Sequence, residues 1–369
     1  MEKATLRPSG GLPRISEKGQ ILSIQSVAQI ALAIMWLATT VTCAIVLYRE
    51  TRNKRAPARL NCGFTLVYAA VLLWYLVCSA LSLSRLPDFP PLVFAHWQFG
   101  PLAVALVIAL LFCLTLVSDK GAPLLLLVYI LATLLVLVAW HSRVTAEAVA
   151  LGIAVSLIAF VAGGILFWKN AFGPKPNIII FLVFVPLMFI AGSLLMAHTG
   201  LGEIQLLEGK YGEALLSFLW GCVLFLPLGL ANAIDRQEDY PWINRWWKPL
   251  VVPFWSGINE EVMFRLFLVP LCYALLRPAF DGHPGLALIA AVLFSGITFG
   301  LSHGRTWKHF VLTGLCYGVP MAVVLATRDW EHAVGAHYII NLVPWVMTFL
   351  KAQRKRSQPI SGSKVIDHV

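Results

Sequence analysis

Three short stretches of this sequence place chemically capable side chains among almost wholly apolar neighbours. The run WSGINEEVMFRLF carries Glu260, Glu261 and Arg265, LFSGITFGLSHG ends with Phe299 and His303, and HAVGAHYIINLVPW holds His337 and Asn341. Carboxylate, imidazole and amide are the groups that take a proton from water, return one to a leaving amine and hold a developing oxyanion. Spacing divides the work. Glu261 and Arg265 are four apart with the acid first, the better order for an intrahelical ion pair. Glu260 lies about 100° round the helix from Glu261 and need not share that partner. His337 and Asn341 are again four apart, so one helix face offers an imidazole and an amide. The bland alternatives are a helix-packing network for the charges, an interfacial histidine for His303 and a helix-to-helix cross-link for Asn341. His332, near the start of its apolar run, is read as an interface residue.

Such side chains need elements that bury them, and composition says what those are. Of 369 residues, 59% are apolar and 12% charged, against roughly 25% charged in soluble domains, and mean hydropathy is +0.78. A soluble enzyme is excluded. Apolar stretches of about 20 residues, enough to cross a hydrocarbon core roughly 30 Å thick, recur along the chain. The expected fold is all-α, a polytopic transmembrane helical bundle of about 11 spans. They fall near 22–47, 61–83, 97–117, 122–140, 146–168, 178–198, 212–233, 250–276, 285–303, 309–327 and 332–350, with ten spans or a re-entrant segment also compatible. Three charges inside 250–276 cost about 8 to 10 kcal/mol on insertion scales, while its Leu, Ile, Val and Phe return about 4 to 8. That helix must face protein or a water-filled cavity.

Polar groups are lopsided. Spans between Leu22 and His198 hold few ionisable residues, and His96, His141 and Glu147 lie near their ends. The chain therefore divides into a polar tail (1–21), accessory spans (22–200), a functional core (205–350) and a basic C-terminal tail (351–369). With eleven spans and a cytoplasmic C-terminus, the inner loops and tail hold 18 Lys and Arg against 5 in the outer loops, as positive-inside retention requires. The basic N-terminal tail, with Lys3, Arg7, Arg14 and Lys18, disagrees with that orientation. The net charge of +10 is scattered over loops, so nucleic acid is not an expected partner. The seven cysteines sit in or beside apolar runs and read as small core residues.

The patterns E-E-x-x-x-R (Glu260, Glu261, Arg265), F-x-x-x-H (Phe299, His303) and H-x-x-x-N (His337, Asn341) resemble the three motifs of the CPBP family. That family comprises intramembrane proteases, including type II CAAX prenyl endopeptidases and bacteriocin-processing or immunity (Abi) homologues. The resemblance covers roughly residues 210–350 and implies a CPBP-type catalytic helical core with endopeptidase activity. It implies that Glu260 and His303 hold and deprotonate a water, His337 and Asn341 stabilise the oxyanion, and Glu261 with Arg265 fixes the helix bearing the base. The implied substrate is a membrane peptide or lipidated protein, possible prenylation included, and the implied location is the bilayer of a bacterial inner membrane. Family members are often called metalloproteases, and Glu260, His303 and His337 have the donor types of an open three-ligand zinc site. There is no H-E-x-x-H motif and an amide ligates zinc poorly, so general-base catalysis without metal is favoured and Zn2+ left open. A proton-coupled transporter and a non-catalytic scaffold of protease ancestry are the rival readings. The aromatic group Tyr240, Trp242, Trp246 and Trp247 before residue 250 reads as an interfacial anchor or a substrate-facing surface.

Overall fold

The computed structural model describes residues 17–53, 58–82, 121–167, 176–235, 245–278, 280, 283–304, 306–307 and 309–357. Among them there is no strand. Hydrocarbon offers the backbone no hydrogen bonds, so apolar segments of this length satisfy their N–H and C=O groups within helices. In chain order these are α1 (Glu17–Asn53), α2 (Ala58–Ser82), α3 (Gly121–Ala139), α4 (Ala146–Phe167), α5 (Pro176–Thr199) and α6 (Tyr211–Asp235). There follow α7 (Lys248–Val251), α8 (Pro253–Glu260), a π-helical segment (Glu261–Phe267) and α9 (Leu268–Leu276). The chain continues with α10 (Pro284–His303), a second π-helical segment (His309–Gly318), α11 (Val319–Thr327) and α12 (Trp330–Ser357).

Seven helices among the described residues are long and apolar enough to cross a membrane: Gln25–Tyr48, Ala146–Gly163, Leu182–Thr199, Tyr211–Ile234, Pro284–His303, His309–Thr327 and Trp330–Arg354. Thr65–Ser79 and Leu127–Ala139 are shorter apolar helices. The architecture is thus the all-helical membrane bundle expected, while the expected count of about 11 is not reached among the described residues. The 97–117 span, together with His96, Tyr240 and Trp242, lies outside them. The 250–276 span is the other departure, because it is built from α7, α8, a π-helical segment and α9 in succession. Pro253 has no N–H to continue α7, and from Glu261 the helix widens to a π turn.

One apolar cluster runs through both halves, from Leu32, Tyr68 and Tyr129 through Phe189 and Phe225 to Phe264, Val319 and Ile340. The accessory helices therefore share their core with the C-terminal ones. Cys43, Cys78, Cys272 and Cys316 are buried and Cys222 is half-buried among the helices. Cys62 and Cys113 lie outside the side chains described.

Three long helices carry an interior proline: Pro186 in α5, Pro227 in α6 and Pro344 in α12. Each removes the donor that would bond the carbonyl four residues earlier, an expensive loss in lipid. Each time a neighbouring helix replaces it. Ser156 Oγ of α4 donates to Leu182 O (3.1 Å), Trp36 Nε1 of α1 to Val223 O (2.7 Å), and Asn232 Nδ2 of α6 to Ile340 O (3.0 Å). Tyr68 OH of α2 donates to the next carbonyl of α6, Leu224 O, at 2.5 Å. Two accessory helices are thus bonded directly to the proline turn of α6.

α6 and α12 run against each other at backbone contact. A Cβ at Gly335 would stand 2.0 Å from Phe218 O, and one at Gly221 2.1 Å from His332 O. Gly335→Val is therefore expected to force the two helices apart. The cost lies at or above the upper end of the roughly 1–3 kcal/mol typical of overpacking. Thermal melting of purified protein reads it, and an unchanged melting temperature overturns the expectation.

Candidate active site

Glu260 closes α8, and from the next residue the helix widens: Leu268 N–H bonds Met263 O, five residues back. Such π turns recur at functional sites because they aim neighbouring side chains differently from a regular helix. Here they separate two adjacent carboxylates. The Glu261 side chain is 0% exposed, as is Arg265, whereas Glu260 is 25% exposed and His303 36%. One acid is fully buried and the other partly exposed, although its Oε2 is itself shielded.

His337 of α12 stands between them. Its Nδ1 lies 2.7 Å from Glu261 Oε1, and its Nε2 3.5 Å from Glu260 Oε2. The Glu261 carboxylate accepts, so Nδ1 carries the proton of that bond. His303, the last residue of α10, has Nδ1 2.9 Å from Phe299 O, its Nε2 also 3.5 Å from Glu260 Oε2. A carbonyl again accepts, so here too Nδ1 is the donor. Both Nε2 atoms, from separate helices, are thus turned to the same carboxylate oxygen. With neutral imidazoles the three facing atoms are all acceptors, an arrangement that suits a group bringing its own protons, such as water or an incoming N–H.

Phe299, a bare letter of its motif at the level of sequence, is the aromatic hub of the site. The Arg265 guanidinium lies 3.9 Å from its ring centroid. Its ring also meets His303 edge-on at 4.6 Å, Phe264 at 5.4 Å and His337 at 5.7 Å. Arg265 Nη1 is 3.2 Å from Glu261 Oε1, within ion-pair distance, but no nitrogen of this guanidinium has an aligned hydrogen-bond acceptor. The aromatic face supplies part of the stabilisation that aligned acceptors would give, a contact worth about 2 kcal/mol when desolvated. The Gly296 and Gly300 stripe lets α10 lie against Val319 and Gly314, and His303 points toward Glu260 rather than into that seam.

Asn341 sits one turn along from His337, but its amide reaches elsewhere. Nδ2 donates to Ser256 Oγ at 2.9 Å, and Ser256 lies one turn before Glu260 on α8. Glu260, His303 and His337 are brought together, with Glu261 and Arg265 behind them and Asn341 fixed to the neighbouring turn of the same helix. Two relations were invisible in the sequence. Glu261 serves His337 as well as Arg265, and Ser256 holds Asn341.

His332 is no free interface residue. Its Nδ1–H donates to Asp329 Oδ2 (2.8 Å), and its backbone N–H to Asp329 Oδ1 (2.8 Å), which caps the start of α12. Burial pushes the Asp329 carboxyl up, but hydrogen bonds from His332 and Ser217 outweigh it and hold the group below the ordinary Asp value. Glu331 takes the N–H groups of Gln205 and Leu206, strapping the loop after α5 to the same helix end. Trp246 and Trp247, the described members of the aromatic group, are exposed.

Glu260, His303 and His337 are of donor types that zinc accepts. Among the described residues, however, no group of three or more His, Cys, Asp or Glu is arranged to hold a metal ion. The inner acid is already committed to Arg265 and His337, and the Asn341 amide to Ser256.

Comparison with curated proteins and with solved structures finds no match. The family model described as type II CAAX prenyl endopeptidase Rce1-like matches residues 242–343. That range contains the broken helix 248–276, α10, α11 and the part of α12 bearing His337 and Asn341. Over residues 242–343 this integral membrane protein is thus similar to the type II CAAX prenyl endopeptidases, which supports a place in the CPBP family.

Proposed function

We propose that the protein is an intramembrane endopeptidase that hydrolyses a peptide bond of a membrane-associated substrate, a lipid-embedded peptide or a lipidated protein, without a metal ion. The observation that carries this is the convergence of two Nε2 atoms on Glu260 Oε2 with different partners behind them. Behind His303 is a neutral carbonyl and behind His337 a buried carboxylate. A neutral partner leaves His303 an acceptor, so it and Glu260 hold the two hydrogens of one water. Glu260 takes one of them as the water oxygen attacks the scissile carbonyl. A carboxylate partner supports positive charge on a ring, as in the Asp-His pair of serine proteases. His337 thus serves as the protonated donor to the oxyanion, with Asn341 on the adjoining turn supplying a further N–H. Collapse of the tetrahedral intermediate breaks the C–N bond, and the proton held by Glu260 passes to the leaving amine. The distribution of Lys and Arg over the loops favours a cytoplasmic C-terminus.

The test is direct. Purified protein in bilayers is given prenylated Cys-a-a-X peptides and unlipidated transmembrane peptides, with products identified by mass and Glu260→Gln protein as control. Cleavage by the wild type that persists after exhaustive chelation is the expected result. Activity lost on chelation and restored by zinc overturns the metal-free chemistry, and equal product from wild type and Glu260→Gln overturns the assignment of the site.

A further inference from the structure

Asn232 takes no part in the chemistry above, yet its one bond to α12 lands beside the groups that do. In an unbroken helix the N–H of residue 344 would bond Ile340 O. Proline has no N–H there, and its ring presses on that carbonyl. Asn232 Nδ2, from α6, donates to it at 3.0 Å. We infer that Asn232 is a positioning residue: it splints the turn of α12 opened by Pro344, and so fixes where the Asn341 amide stands relative to the His337 imidazole. The functional consequence rests on the protease reading, while the splint itself does not.

The geometry makes this more than packing. Asn341 follows Ile340 within the opened turn, and His337 stands on the turn before it. Any play in that turn appears as play between amide and imidazole. Residues 340 and 341 are held from two helices at once, the carbonyl by Asn232 of α6 and the amide by Ser256 of α8. A side chain as short as Asn reaches because the backbones nearly touch: a Cβ on Gly229, three residues before it, would stand 2.7 Å from Ile339 O. The same device recurs at Pro186 with Ser156 and at Pro227 with Trp36. The one on α12 differs in lying next to the site.

The test is a cycle of Asn232→Leu, Pro344→Ala and the pair, in the full-length protein. Alanine at 344 returns the N–H that Ile340 O lacks, so it makes Asn232 redundant. With Pro344 present, Asn232→Leu is expected to lower kcat on the order of tenfold to a hundredfold, as small misplacements of catalytic groups do. KM stays within about twofold, because ground-state binding is untouched. In the Pro344→Ala background the same substitution lowers kcat by less than about threefold, and its effect on melting temperature largely disappears. If Asn232→Leu alone fails to fold, the paired variant still has to fold, and its failure overturns the splint. Equal effects of Asn232→Leu in both backgrounds overturn the splint as well. Folded Asn232→Leu protein with wild-type kcat overturns the positioning role. A wild type that cleaves no peptide overturns the protease reading separately, since the melting half of the cycle needs no substrate and still decides the splint.

Discussion

Glu260→Gln lowers turnover by roughly 10²–10⁴-fold, the range that general-base removal costs, and leaves the protein folded. The amide keeps the size of the acid and can still accept at one atom, but it cannot take a proton from water. Two features make the effect clean. Glu260 is partly exposed and its Oε2 has no hydrogen bond, so the fold does not lean on it, whereas both imidazoles of the site face that oxygen. The expected signature is therefore a fallen kcat with an unchanged melting curve. A Glu260→Gln protein that melts normally and cleaves at the wild-type rate removes the base from the scheme.

Arg265→Met has the opposite profile, a loss of fold. Removing one member of a buried ion pair strands the other charge, at a cost of about 3–5 kcal/mol, and here the guanidinium also covers the ring of Phe299. Replacing both members by groups without charge removes the stranded charge, so Arg265→Met with Glu261→Gln regains much of the stability. Activity does not return with it. Glu261 Oε1 also takes the Nδ1 proton of His337, and glutamine in its place offers that ring no negative charge. Stability and turnover of the single and paired variants separate the two jobs of Glu261. If the pair recovers both together, Glu261 works only as the partner of Arg265.

Much of this was legible because a membrane penalises polar groups so heavily. The all-helical fold follows from apolar stretches that can only close their backbone hydrogen bonds internally, and Glu260, Glu261, Arg265, His303, His337 and Asn341 stood out because polar groups are costly in lipid, although spacing alone left a packing or interfacial role open for them. Four-residue spacings likewise announced the Glu261–Arg265 pair, since a helix turn is a local property. Span boundaries were read less well at 250–276, where hydropathy saw one apolar run and the structure has α7, α8, a π turn and α9.

What remained hidden were relations between residues far apart in the chain. That Glu261 answers His337, 76 residues on, and that Ser256 holds Asn341, 85 residues on, are contacts set by how α8, α10 and α12 pack, and no spacing encodes them. The sequence by itself determined that the chain spans a membrane and which side chains are too costly there to be incidental, because both follow from transfer free energies residue by residue. Only the tertiary structure decided which acid is fully buried and which partly exposed, what stands behind each imidazole, and which neighbour closes each proline turn. Those depend on the direction a side chain takes from a packed helix, and direction is fixed by the contacts of the whole bundle.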